Sequence, residues 1–259
     1  MVEARYHLSM SVLAPIDHDS RFLPLQGTLN TRDLGGLPVA GGRQTRRGQV
    51  LRSDGPVQLT DADLDLLDRL PVTTVIDLRG AQEREREPNS FLGRRSCRVH
   101  NVEVWAHINA AGQEPKDRFD ITAFYLAALD HAGPAFADAT RLITETAGTA
   151  LFHCAAGKDR TGLLAALILE AVGVDRAVVL EDFALTEDRI GPLRERLLER
   201  AERDGVPRSQ FQRLLGATPD LIEPALAHLD ARHGGAVAYL ARAGVSDETF
   251  AALEAKLVG

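Results

Sequence analysis

The chain is poor in cysteine, tryptophan, methionine and lysine. Two cysteines in 259 residues, Cys97 and Cys154, are too few for a disulfide framework, so reducing surroundings are expected. No apolar run approaches the length that spans a bilayer, and residues 1–7 lack the apolar core of a signal peptide. A cytoplasmic location follows as the expectation, with secretion independent of a signal peptide left open. Positive charge is also scarce: 37 acidic residues against 30 basic ones give a net charge of −7. That balance argues against nucleic acid as a standing partner and against a polybasic membrane anchor, and it confines positive potential to a local cleft. No internal repeat or low-complexity tract interrupts an ordinary globular composition, 44% hydrophobic.

What is present is concentrated in ten residues, His153-Cys154-Ala155-Ala156-Gly157-Lys158-Asp159-Arg160-Thr161-Gly162. An apolar, β-prone segment (149–153) precedes them and strong helix formers (163–172) follow, so the loop joins a strand to a helix N-terminus, where anions bind. A thiol attacks usefully only as the thiolate. Arg160, the inward amides of Ala155, Ala156, Gly157 and Lys158, and the helix dipole would all favour that form of Cys154 and then bind a phosphate dianion. Gly157 permits a tight loop, the Arg160 fork suits two phosphoryl oxygens, and Thr161 can hydrogen-bond the sulfur as it leaves. His153 reads as a residue that orients the loop.

The ester oxygen needs a proton on departure. Asp159 is the nearest donor. Asp77 is the second, because an aspartate ending an apolar parallel strand emerges on the same sheet edge; the sequence does not rank the two. A Walker-type nucleotide loop fails, since Asp159 follows Gly157-Lys158 where Ser or Thr is needed. Metal binding is disfavoured because Cys154 and His153 are adjacent and no second Cys/His pair is read as having ligand spacing. The chemistry requires neither metal nor organic cofactor.

Residues 1–25 read as a loosely structured leader and 26–259 as one domain. The glycine-rich stretch 30–48 suggests a small β element with turns at 35–36 and 41–42. Within it, Arg32 and Asp33 either reach the anion loop or hold the turn as a local salt bridge. Strands at 50–53, 72–78, 98–105 and 149–153 alternate with helices at 60–70, 120–132 and 134–147 and with a charged turn or helix at 80–87. The pattern predicts an α/β domain with a mostly parallel central sheet flanked by helices. Helices over 175–186 and 188–203 follow the catalytic one, then three over 219–257 with breaks at Gly234-Gly235 and Gly244. Cys97 reads as a small core residue, with reversible pairing to Cys154 under oxidant as the alternative.

The loop resembles the protein tyrosine phosphatase superfamily with its Cys-x5-Arg signature, and in particular bacterial tyrosine and phosphoinositide phosphatases of the mycobacterial phosphatase B type. Asn30-Thr31-Arg32-Asp33-Leu34-Gly35-Gly36 is similar to the N-terminal motif of that group, and Gly234-Gly235, Tyr239-Leu240 and Gly244-Val245-Ser246 to its C-terminal pattern. The resemblance implies Cys154 as nucleophile, Arg160 as phosphate binder, Asp159 as general acid, and Lys158 as a residue associated with phosphoinositide as well as phosphotyrosine substrates; plain electrostatic support is the other reading of Lys158. It also suggests a mobile helical lid over 187–216 hinged at Gly191, Gly205 and Gly216, where the bland reading of the charge-dense 194–203 is a solvated face. Ala155 and Thr31 stand where the group often carries an aromatic. That departure weakens the case for phosphotyrosine and leaves room for a lipid, sugar or nucleotide phosphomonoester. The expected function is a cysteine-dependent phosphomonoester hydrolase acting on a phosphorylated protein or small molecule through a phosphocysteine intermediate. The rivals are a small-molecule phosphatase of a biosynthetic pathway and a catalytically silent phosphate-binding module.

Overall fold

The computed structural model describes residues 16–94, 96–112, 117 and 120–259. Its elements run β1 (Arg32–Asp33), β2 (Pro38–Val39), β3 (Arg43–Gln44), β4 (Val50–Ser53), α1 (Asp61–Arg69), β5 (Val72–Asp77), α2 (Ala81–Arg86), β6 (Arg98–Asn101), α3 (Val104–Ala110), α4 (Ile121–His131), α5 (Gly133–Glu145), β7 (Thr149–His153), α6 (Asp159–Ala171), α7 (Arg176–Arg189), α8 (Gly191–Arg203), α9 (Arg208–Phe211), α10 (Pro219–His228), α11 (Ala236–Arg242) and α12 (Asp247–Leu257). The main sheet has the order β1-β4-β7-β5-β6, parallel except for β1 at one edge, and β2 and β3 form a separate hairpin. The α/β expectation is met.

Alternation along the strands divides the core. Val50, Ile76, Ala150 and Phe152 join the large cluster under α4, α5 and α6, whereas Leu51, Val75 and Leu151 point to a small one with Leu67 of α1. Helix α6 carries most of the large core: Leu163, Leu164, Leu167, Ile168 and Leu169 are fully buried, each contributing about 1.5–3 kcal/mol. Register sets the site. Ser53 and Asp77 both stand opposite His153, so β4, β7 and β5 end at one edge and their following residues surround the loop after β7. Thr60 caps α1 reciprocally with Asp63, and Pro192, which has no amide N–H to lose, starts α8.

Three expectations are corrected. The strand predicted over 98–105 ends at Asn101, because Val102 N–H closes on Asp77 O (2.9 Å) and the chain turns into α3, placing Trp105 on a helix. The helix predicted from 188 starts at Gly191, since α7 runs on to Arg189. Residues 16–25 are not loose: Arg21 is buried, and Leu23 and Leu25 pack on the small core. Residues 1–15 lie outside the described residues. Cys97 sits in the small core, where burial pushes its thiol up to about 11, on the opposite sheet face from Cys154, which gives no support to their pairing. Among the described residues no helix is long and apolar enough to cross a membrane.

Arg21, Arg32 and Arg52 converge on one buried carboxylate, Asp182 of α7. Burial opposes ionisation of Asp182, but the three guanidinium groups hold it well below the ordinary range. Burial and Arg52 push Arg32 down to about 9, still charged at neutral pH. Because the folded pKa of Asp182 lies below its unfolded value, its stabilisation is complete above the usual carboxylate range and is lost only as pH falls through the lower folded value. Asp182→Asn should therefore lower the unfolding free energy by about 3–5 kcal/mol at neutral pH, by leaving buried cations uncompensated. An unchanged midpoint in urea would show that the cluster is dispensable.

Candidate active site

The loop after β7 is shaped from outside. Cys154 O accepts from His153 Nδ1 (3.0 Å), Ala155 O from Gly55 N–H (2.9 Å), Ala156 O from Asn30 Nδ2 (3.1 Å), Gly157 O from Arg52 Nη2 (2.8 Å) and Asn30 Nδ2 (3.2 Å), and Lys158 O from Gly162 N–H (2.6 Å). With the carbonyls of Cys154 to Gly157 drawn outward, the N–H groups of the same peptides turn toward the cup that holds Cys154, and the bond to Lys158 O closes the first turn of α6. Gly157 has φ +64°, and a Cβ there would lie 2.5 Å from Asp54 N, so neither its conformation nor its packing admits a side chain. His153 is fully buried and burial pushes it down to about 4, hence neutral. Since Cys154 O can only accept, the Nδ1 carries the proton and Nε2 accepts from Asn89 Nδ2 (2.8 Å).

Arg160, in the first turn of α6, is gripped by Glu83 of α2 through two parallel bonds (2.6 and 2.8 Å) and lies 5.4 Å from the Trp105 ring. Burial works against the Arg160 charge, yet Glu83 and the neighbouring Cys154 hold its pKa above the ordinary value; burial opposes Glu83 ionisation too, and Arg160 overrides it. The fork is thus fixed in charge and direction before any anion arrives. Thr161 Oγ1 is buried without a hydrogen-bond partner.

Asp159 stands at the rim. Its Oδ1 accepts from Tyr125 Oη (2.5 Å) and forms an ion pair with Lys158 Nζ (2.9 Å). Burial, and then the Asp159 charge, keep the Tyr125 phenol protonated and therefore a donor. Asp77 does not join this group. Burial opposes its ionisation, but Arg79 Nε (2.9 Å) and Nη2 (2.7 Å) hold it below the usual range, and it is shut inside the fold. Arg32 and Asp33 are likewise absent from the loop: Arg32 is spent on Asp182, and Asp33 accepts from Gly35 N–H (2.8 Å) and Gly48 N–H (2.7 Å), holding the turn.

Cys154 forms part of the floor of a cavity of about 510 Å³, walled by Trp105, Phe124 and Ile121 on one side and by Leu197, Phe211 and Leu214 on the other. The aromatics absent at Ala155 and Thr31 are thus supplied by α3, α4 and α9, while Thr31 is buried against Ser53 Oγ (2.6 Å). The sequence reading missed Glu83, Tyr125 and the clamps Asn30 and Arg52. Only Asn30 stood in a recognisable motif.

A profile described as the tyrosine phosphatase family matches residues 23–259. A protein of Cupriavidus necator, provisionally named a tyrosine-protein phosphatase, is 32% identical over 82% of this chain and 80% of its own length. The tyrosine-protein phosphatase of Nostoc commune is 31% identical over 77% of this chain and 71% of its own. The triple specificity protein phosphatase PtpB of Mycobacterium tuberculosis is 28% identical over 91% and 98%. A Cys-x5-Arg loop tied at each carbonyl and a match over nearly the whole chain have one meaning: this chain belongs to the tyrosine phosphatase family and is a phosphoric monoester hydrolase.

Proposed function

We propose that the protein hydrolyses aryl phosphate esters, with phosphotyrosine in proteins as the substrate class, through a phosphocysteine intermediate. The observation that carries this reading is the position of Cys154 beneath an apolar, aromatic-walled cavity with Arg160 aligned by Glu83. Cys154 Sγ attacks phosphorus while Arg160 and the loop amides hold the equatorial oxygens of a loose transition state. Asp159 protonates the leaving oxygen. Its Oδ1 already accepts from Tyr125 Oη and faces the Lys158 ammonium group, so the proton travels on Oδ2. In the second half-reaction Asp159 takes a proton from water, the water oxygen displaces the sulfur, with Thr161 as its hydrogen-bond donor, and inorganic phosphate is released. The apolar walls favour a ring over a sugar, which speaks against the small-molecule reading. Free thiols at both cysteines suit a reducing cytoplasm.

Residues 187–216 act in this proposal as a lid. Helices α8 and α9 and the turn after them supply Leu197, Phe211 and Leu214 to the cavity wall. Lys158, buried to 1% exposure, donates to Leu214 O (2.5 Å) and Gly216 O (2.8 Å), so the loop itself latches the lid.

Cys154→Ser should reduce turnover of phosphotyrosine peptide by at least about 10⁴-fold while retaining binding, and Arg160→Ala should lose both. Near-normal turnover by Cys154→Ser refutes the mechanism. Asp159→Asn should lower kcat by about 10²–10⁴-fold and remove the basic limb of the pH–rate bell, where the acid has lost its proton. Asp77→Asn should keep that limb; the opposite result exchanges the roles. On a panel of phosphotyrosine and phosphoserine peptides, phosphoinositides and sugar phosphates, kcat/KM should be highest for the phosphotyrosine peptide, and Trp105→Ala should narrow the gap. Lys158→Met should increase hydrogen exchange across 191–216; unchanged protection removes the latch.

A further inference from the structure

Away from the catalytic loop, three potential ligands meet where α4, α10 and α11 come together. Asp130 is the penultimate residue of α4 and His228 the last of α10. His233 ends a single π turn over Leu229–His233. In an α-helix, residues five apart face different sides. The i→i+5 closure of a π turn stacks them, and here it brings the His228 and His233 rings to 5.7 Å between centroids. Gly234 and Gly235, at φ +76° and +89°, then reverse the chain, and Tyr239, itself 3% exposed, packs edge-on to His233 at 5.1 Å. The glycine pair and tyrosine of the C-terminal pattern thus set the position of an imidazole.

Asp130 Oδ1 lies 2.9 Å from His228 Nε2 and 3.1 Å from His233 Nε2, and all three ligand atoms fall within 4.8 Å of one another. Arg232 Nε is a third neighbour of that same oxygen, at 3.0 Å. Three nitrogens crowd one carboxylate oxygen. A cation bound to Oδ1 and to both Nε2 atoms would replace the two imidazole N–H groups, each ring then carrying its proton on Nδ1. We propose that Asp130, His228 and His233 form a site for a borderline divalent cation of the Zn²⁺ class.

The donor set is that of such metals: two neutral imidazole nitrogens and a carboxylate, with remaining positions for water. Bonds of about 2.0–2.1 Å in a tetrahedral arrangement require the two nitrogen–oxygen separations, now 2.9 and 3.1 Å, to open by only a few tenths of an ångström. The C-terminal ends of α4 and α10 add partial negative charge. Arg232 opposes a cation electrostatically, but its side chain is 64% exposed and free to swing into solvent. The ion would cross-link the C-terminal end of α4 to the end of α10 and the π turn that continues it, segments far apart in the chain. It takes no part in phosphoryl transfer, and the proposal stands independently of the substrate assigned above.

The test uses tag-free, chelator-stripped full-length Cys154→Ser protein, which removes the catalytic thiolate as a competing ligand. Titration with Co²⁺, followed by its visible ligand-field bands, and equilibrium dialysis with Zn²⁺ should each give one equivalent bound, with a rise in Tm. Asp130→Asn, His228→Ala and His233→Ala should each weaken binding at least about ten-fold, the usual scale for loss of a ligand or its support. Arg232→Ala should tighten it. Absence of binding up to millimolar metal, unchanged stoichiometry in the double histidine variant, or weaker binding by Arg232→Ala overturns the proposal. Should a histidine variant fail to fold, Zn²⁺ protection of His228 and His233 from diethyl pyrocarbonate replaces it; equal labelling with and without Zn²⁺ is the refuting result.

Discussion

The outward tethering of four successive carbonyls, from Cys154 to Gly157, is the constraint on which the rest depends. Left to itself, such a loop would satisfy its carbonyls with its own amides, and an incoming anion would find none to bind. Asn30, Arg52, Gly55 and His153 remove that option. Arg52 can serve only because Asp182 neutralises part of its charge, and Asp182 is fixed only because Arg21 and Arg32 share it. The buried charges therefore work as scaffolding for a cup of N–H groups, and the N-terminal segment that carries Arg21 belongs to that scaffold.

Two aspartates at the same sheet edge are given opposite work by their neighbours. Asp77 is closed inside the fold with Arg79 along its carboxylate, which fixes it as an anion that also stands 3.6 Å from His153. Asp159 accepts from Tyr125 and pairs with Lys158 through one oxygen, and the residue lines the cavity. Strand position placed Asp77 at the right sheet edge but not in the cup, and only the surrounding side chains separate this structural carboxylate from the acid proposed at Asp159.

The catalytic loop was legible because its chemistry is local: nucleophile, cradle, arginine and acid fall within ten residues and between two unambiguous elements. Partners contributed by tertiary contact left no local trace. Glu83 lies in a charged run whose plain reading is solvent exposure, and Tyr125 in an apolar helix whose plain reading is core. Trp105 was misassigned because 98–105 carries β-branched residues that continue a strand pattern past the turn at Val102. His228 and His233 escaped for a geometric reason, since five-residue spacing has no meaning on an α-helix and gains one only in a π turn.

Lys158 shows how a motif residue takes its role from what surrounds it. Its ammonium group donates to Leu214 O and Gly216 O and is paired electrostatically with the Asp159 carboxylate. In this structure the contacts of Lys158 leave little of its charge for a second anionic group on the substrate. If residues 187–216 lift as the proposed lid, two acceptors are withdrawn and the charge is freed within the mouth of the cavity. On that proposal, closure over a compact aryl ester and recognition of a headgroup with additional phosphates are competing uses of one side chain, and substrate choice rests on two hydrogen bonds to the lid as much as on the catalytic loop.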